Sequence, residues 1–397
     1  MFRLLRFPVV LFLVLAAVAA TGTVAAQTNP CAVSGVDENG ALYYISVPIN
    51  PVTGGCYWGG DLVVFAHGYV AANEPLAIPW GQMALPNPAD PTQPVMMPDL
   101  VNSMGFGFAT TSYRKNGLAI QEGIADVVNL AQLYAQLGGS PYRVYLIGAS
   151  EGSLVTTLAI ERRPDVFSGG MAMCGPIGSF QGQVNYWGDF RAVYDFFMDR
   201  PGFNALPGNV VSVPEVMINK WDSVYVPRIL GTITDLNRTS QVISVTGAAI
   251  DPSNPVETVP QTVLGILWYN AFATKDAIAE LGGNPYDNRD RQYTNSSNDP
   301  LLNTGVKRYK ANAKALKEIA DNYETNGQLQ RPLVTMHTRG DPIIPYWHLI
   351  AYQAKVGANP LLYDISVDTG SPRYGHCNFT LDEIIDGFIT LQTAVGP

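Results

Sequence analysis

Hydrophobic and polar positions along the chain fall into two alternating rhythms. Short apolar runs rich in β-branched and aromatic residues recur as ALYYISVPI, DLVVFAHGYV (Asp61 to Val70), GFGFATTSYR (Gly105 to Arg114), RVYLIGA, SGGMAMCG, PLVTMHT (Pro332 to Thr338) and LLYDISVD (Leu361 to Asp368). Each reads as a strand. Between them apolar residues return at steps of three and four. Ile120, Ile124, Val127, Ala131 and Tyr134 mark a helix over Ile120 to Leu137, and shorter helical patterns cover Ser153 to Arg162, Pro345 to Lys355 and Thr380 to Leu391. Continuous apolar strands alternating with amphipathic helices predict an α/β fold with a mostly parallel sheet flanked by helices.

The alternation breaks between about Gly178 and Gln330. That interval is rich in aromatic residues, among them Trp187, Tyr194, Trp221, Trp268, Tyr269 and Phe272, and has helical patches such as Val306 to Tyr323 but no strand rhythm. It reads as a large, mainly helical cap, 178–330, inserted into a catalytic domain made of 27–177 and 331–397. The aromatic spacing fits ordinary packing better than a ligand wall. The stretch NPYDNRDRQYTNSSNDP lacks the spacing of a calcium loop and reads as a polar surface loop.

The first residues follow a different logic. Arg3 and Arg6, an apolar core from Val9 to Ala20, and Val24-Ala25-Ala26 before Gln27 have the form of a signal peptide, 1–26. The formal net charge is -9, and removing two basic residues gives -9 - 2 = -11 for the remainder. Such a charge argues against nucleic acid or anionic membrane as a partner, and no stable membrane insertion is expected after signal removal. A secreted or periplasmic protein is the expectation. The four cysteines then read as disulfide formers. Cys31 and Cys56 bracket an early strand that their pairing would staple to the core, while Cys174 and Cys377 lie far apart in sequence; the sequence alone does not choose among three connectivities.

Candidate chemistry centres on Gly148-Ala149-Ser150-Glu151-Gly152, where a strand meets a helix. A serine at such a reversal is held at the carboxyl edge of the sheet, and Gly148 and Gly152 carry no side chain to crowd the turn. The helix start also aims free N–H groups at the serine. Serine is a weak nucleophile unless a base takes its proton, and only His67, His337, His348 and His376 are available. His376, in SPRYGHCNFT after the last strand, is best placed, with Gly375 easing the turn; His348 is the alternative. His337 reads as structural. The acid should follow the preceding strand, where Asp341 stands before Pro342; Asp364 and Asp368 are alternatives.

The elbow, the His67-Gly68-Tyr69 loop, the post-strand Asp341-Pro342 and the late Gly375-His376 resemble the α/β-hydrolase fold serine hydrolases. The likeness spans about residues 41–176 and 331–397. It implies a triad of Ser150, Asp341 and His376, an oxyanion hole from the backbone N–H groups of Tyr69 and Glu151, and no metal or organic cofactor. A narrower likeness, to secreted feruloyl esterases and tannases, is partial: His376-Cys377 matches their pattern, but Ala149 stands where they have a cysteine before the serine. The expected pairing is therefore Cys377 with Cys174.

A secreted serine esterase acting through an acyl-enzyme on a small or polymeric ester, with an apolar or aromatic portion, is the leading expectation. A peptidase of the same fold is the second. It would need an acid to hold a free chain terminus, and Glu151, Asp189, Asp195 and Asp199 are the candidates. A non-catalytic binding protein comes third, since all three triad residue types are present.

Overall fold

The computed structural model describes residues 29–397 apart from Thr369 and Ser371; the signal-peptide reading of 1–26 lies outside the described residues. Eight strands form one sheet: β1 Ala32–Val36, β2 Leu42–Ser46, β3 Leu62–Ala66, β4 Gly107–Thr111, β5 Val144–Ala149, β6 Gly169–Met173, β7 Leu333–Met336 and β8 Leu362–Ile365. Their spatial order is β1-β2-β4-β3-β5-β6-β7-β8. β2 runs antiparallel to both β1 and β4, and from β4 to β8 every pairing is parallel. This is the α/β-hydrolase architecture that the sequence led us to expect.

Every residue of β3, β4, β6 and β7 is buried, as expected for strands covered on both faces, whereas the edge strands β1 and β8 are half exposed. Side chains alternate between the faces. Leu62, Val64, Ala109, Leu146 and Ala172 pack toward helices Ile120–Gly138 and Glu151–Arg162. Val63, Phe65, Phe108, Tyr145, Met171 and Met336 pack against Val101, Phe388 and Leu391 of helices Met97–Ser103 and Leu381–Val395. The last helix starts with a capping box, in which the Thr380 hydroxyl accepts from Glu383 N–H and the Glu383 carboxylate from Thr380 N–H.

Residues 178–330 contain helices and loops and no strand of the sheet. The longest are Phe180–Met198 and Pro255–Tyr269, the second continuing through a π-helical turn, Asn270–Thr274, into Lys275–Glu280.

Two local expectations are corrected. The early segment holds a hairpin, β1 with β2, rather than one strand; β1 is short, glycine-containing and half exposed, and so lacks an apolar run. The helix expected from Val306 to Tyr323 begins only at Ala313. The Arg308 guanidinium donates to the carbonyls of Asn288, Arg291 and Asn303, and Tyr309 N–H to Asn288 Oδ1, so the chain there stays extended against the polar loop. The Asn312 side chain then caps the helix.

Candidate active site

The carboxyl ends of β3, β5, β6, β7 and the segment after β8 meet at one edge of the sheet, where open α/β sheets place their ligands. Ser150 follows β5 with φ of 57° and ψ of -122°, a conformation costly for a residue with a Cβ. The turn is tight enough to demand its glycines. A Cβ on Gly152 would come within 2.0 Å of Ala66 O, and one on Gly148 within 2.0 Å of Gly152 O. Gly68 packs beside them, where a Cβ would meet the Ser150 Cβ at 3.0 Å.

His376 Nε2 lies 2.9 Å from Ser150 Oγ, and His376 Nδ1 lies 2.7 Å from Asp341 Oδ2. With the imidazole proton on Nδ1, the serine hydroxyl donates to Nε2 and the ring donates to the carboxylate. Asp341 is buried, and its Oδ1 accepts from the N–H groups of Ile343 and Ile344 at 2.8 and 3.0 Å. That leaves Oδ2 for the histidine. The loops carrying the two residues are stitched together: Gly340 N–H donates to Arg373 O, Gly375 N–H to Gly340 O, and the Thr338 hydroxyl to Gly375 O.

Two features beyond those bonds hold the histidine. Cys377 is disulfide-bonded to Cys174, just past β6, and its sulfur lies 3.6 Å from His376 Nε2. Arg373 makes paired bonds to the Glu383 carboxylate at 2.7 and 2.8 Å and also donates to Val367 O and Asn378 O. Cys31 and Cys56 form the second disulfide. Cys174, His376 and Cys377 lie at metal-ligand spacing, but the two sulfurs are bonded to each other.

The remaining candidates sit elsewhere. His348 is fully buried, its Nε2 2.7 Å from Gln183 Oε1, and burial holds it well below the usual imidazole range. The His337 ring donates to Ile344 O beneath Asp341, and burial lowers its pKa as well. His67 turns away from the serine and stacks on Tyr113 at 3.9 Å; burial depresses it to about 4. Asp364 accepts from Thr335 on β7, and Asp368 from Arg339 N–H, so neither faces His376.

Among the described residues the backbone N–H groups of Tyr69 and Glu151 make no hydrogen bond. The loop before Tyr69 is held by Gln82, whose Oε1 accepts from Gly68 N–H at 2.6 Å. The Glu151 side chain turns inward, its Oε1 accepting from Ala119 N–H at 2.9 Å. Burial pushes this carboxyl up to about 8; the Ala119 bond opposes the shift and the nearby Asp276 charge adds to it.

A narrow cavity of about 40 Å³ opens beside Ser150 and Glu151. Tyr69, Phe180, Trp187, Tyr269, Thr274 and Ile344 are among the residues that line it. Tyr269 stacks on Trp187 at 4.9 Å, and both line the cavity with Ser150. Sequence reasoning treated these cap aromatics as packing, and nothing in their spacing marks Tyr269 apart from Trp268. Gln82 and Arg373 also carry no sequence signal: Gln82 bonds a backbone N–H 14 residues earlier, and Arg373 is one of several basic residues whose spacing to an acid marks nothing.

No protein-family model matches the chain, and no curated protein matches it in sequence. Solved structures align with it. A puromycin hydrolase aligns over 91% of this chain and 38% of its own at 12% identity and a TM-score of 0.44. The acylaminoacyl peptidase of Pyrococcus horikoshii aligns over 85% and 35% at 12% identity and a TM-score of 0.35. The rice cell wall degrading esterase LipA of Xanthomonas oryzae aligns over 92% and 87% at 12% identity and a TM-score of 0.39. The chain thus spans little more than a third of the length of the first two.

Proposed function

We propose that this chain is an exported serine hydrolase that cleaves carboxylic esters through Ser150, His376 and Asp341. The observation that carries this reading is the unbroken relay of 2.9 and 2.7 Å contacts from hydroxyl through imidazole to a buried carboxylate. His376 takes the serine proton as Oγ attacks the carbonyl, and Asp341 fixes the tautomer and stabilises the imidazolium. The negative oxygen of the tetrahedral intermediate is received by the unpaired N–H groups of Tyr69 and Glu151, at the start of the helix. His376 then protonates the leaving alcohol. Water, activated by the same histidine, releases the acid from the acyl-enzyme. The two disulfides support an exported setting, and 178–330 acts as the cap over the site.

Amide cleavage by the same triad is the second reading, favoured by one observation. Of the four acids considered for holding a free terminus, Glu151 lines the cavity. Asp189 is taken up by Tyr286, Tyr293 and Arg291, Asp195 by Arg191, and Asp199 by Ala205 N–H.

Side-by-side assay of p-nitrophenyl acyl esters of graded chain length and aminoacyl p-nitroanilides, with Ser150→Ala as control, tests the proposal. Ester turnover lost in the variant supports it; strong anilide turnover with negligible ester turnover reverses the order of the two readings.

A further inference from the structure

We propose that the cavity beside Ser150 binds a primary ammonium group, held by the Glu151 carboxylate and the Thr274 hydroxyl with the charge of Asp276 behind them, so that the acyl portion of the substrate carries an amine. This rests on the hydrolase reading above and specifies its substrate class.

Two carboxylates reach the same short loop from opposite sides. From the elbow, Glu151 Oε1 accepts from Ala119 N–H; from the cap, Asp276 Oδ2 accepts from Leu118 N–H. Each keeps a second oxygen with no partner among the described residues. The one nearby cation, Lys115, is drawn instead to Glu280 and Glu122. The walls are otherwise largely apolar or aromatic, so the Lys115 charge, which eases both carboxyls from a distance, is the one cation acting on them among the described residues. Buried carboxylates without a cation in contact are costly, and a cation brought by the ligand removes that cost.

The hydrogen-bonding groups around the cavity have the matching polarity. Thr274 is 1% exposed, lines the cavity, and its Oγ1 has no hydrogen-bond partner. Tyr69 also lines the cavity; burial first, then the charges of Asp276 and Glu151, hold its hydroxyl pKa up, against a backbone bond from Ala72. A carboxylate and two hydroxyl oxygens supply three acceptors, and an ammonium offers three N–H donors. The Tyr269 and Trp187 rings in the lining suit a cation as well. At about 40 Å³ the space admits a small head group, not a long chain.

The test uses the whole protein and a fluorophosphonate, with the rate of Ser150 labelling read by mass. Propylammonium chloride, 1-propanol and sodium chloride are compared at equal concentration. Propylammonium is expected to slow labelling about tenfold at concentrations about ten times its dissociation constant, while 1-propanol and sodium chloride do not. Thr274→Val and Glu151→Gln should each weaken that protection. Labelling that propylammonium slows no more than 1-propanol overturns the ammonium site and leaves the hydrolase intact. An unlabelled Ser150 removes the hydrolase reading and this inference together.

Discussion

Cys377 is bonded to Cys174, so the residue after the histidine that contacts Ser150 is tied to the end of the strand beside the elbow. The bond closes a sequence separation of 203 residues, and in doing so it fixes the loop that carries His376 to the sheet rather than to its own neighbours.

Breaking that bond should act on chemistry more than on binding. We expect Cys174→Ser with Cys377→Ser to lower kcat several-fold with KM little changed, and to lower stability by about 2–5 kcal/mol. Steady-state kinetics and chemical denaturation check both effects. Equal kcat in the double variant would show that Arg373 and the loop hydrogen bonds suffice.

Asp341→Asn should leave the fold intact, because an amide oxygen can still accept from the N–H groups of Ile343 and Ile344. The NH2 group then faces His376 Nδ1, which must accept, so Nε2 carries the proton and can no longer receive one from Ser150. Loss of kcat of about ten-thousandfold is expected, with circular dichroism unchanged.

Gly152→Ala is expected to fail structurally. Its Cβ would press on the Ala66 carbonyl, where backbone cannot give way cheaply. A stability loss of about 3 kcal/mol or more is expected in a denaturant titration, with the protein expressed poorly.

The inward Glu151 makes stability depend on pH. Its folded pKa, raised to about 8 by burial, lies above its unfolded value, so the folded state binds the extra proton between those values. Stability attributable to this group is therefore full at low pH and falls as pH rises toward about 8, with Asp276, Lys115 and Glu122 the charged groups around it. Glu151→Gln keeps an acceptor for Ala119 N–H and removes the titration. Its Tm should exceed that of the native protein at pH 9 by about 2 °C or more, and the gap should close near pH 5. Calorimetry across that range checks the sign.

The sequence made the sheet legible because its central strands are apolar on both faces, and it made Ser150 legible because the turn must contain two glycines. His376 and Asp341 followed from chain order at the ends of strands. The edge strand β1 and the 307–311 segment were hidden, since neither has an apolar periodicity and both are placed by tertiary contacts. Tyr269 was hidden for another reason. It stands directly before a π-helical turn, and a run of helical residues does not announce such a turn. The inward course of the Glu151 side chain likewise depends on Ala119, 32 residues earlier in the chain.

The central claim, that Ser150 is the nucleophile, is most directly tested by trapping its acyl adduct. A p-nitrophenyl acyl ester mixed with the protein and quenched in acid should give a burst of p-nitrophenol, and peptide mass analysis should place one acyl group on Ser150. A burst that persists in Ser150→Ala, or an acyl group found on another residue, contradicts the account.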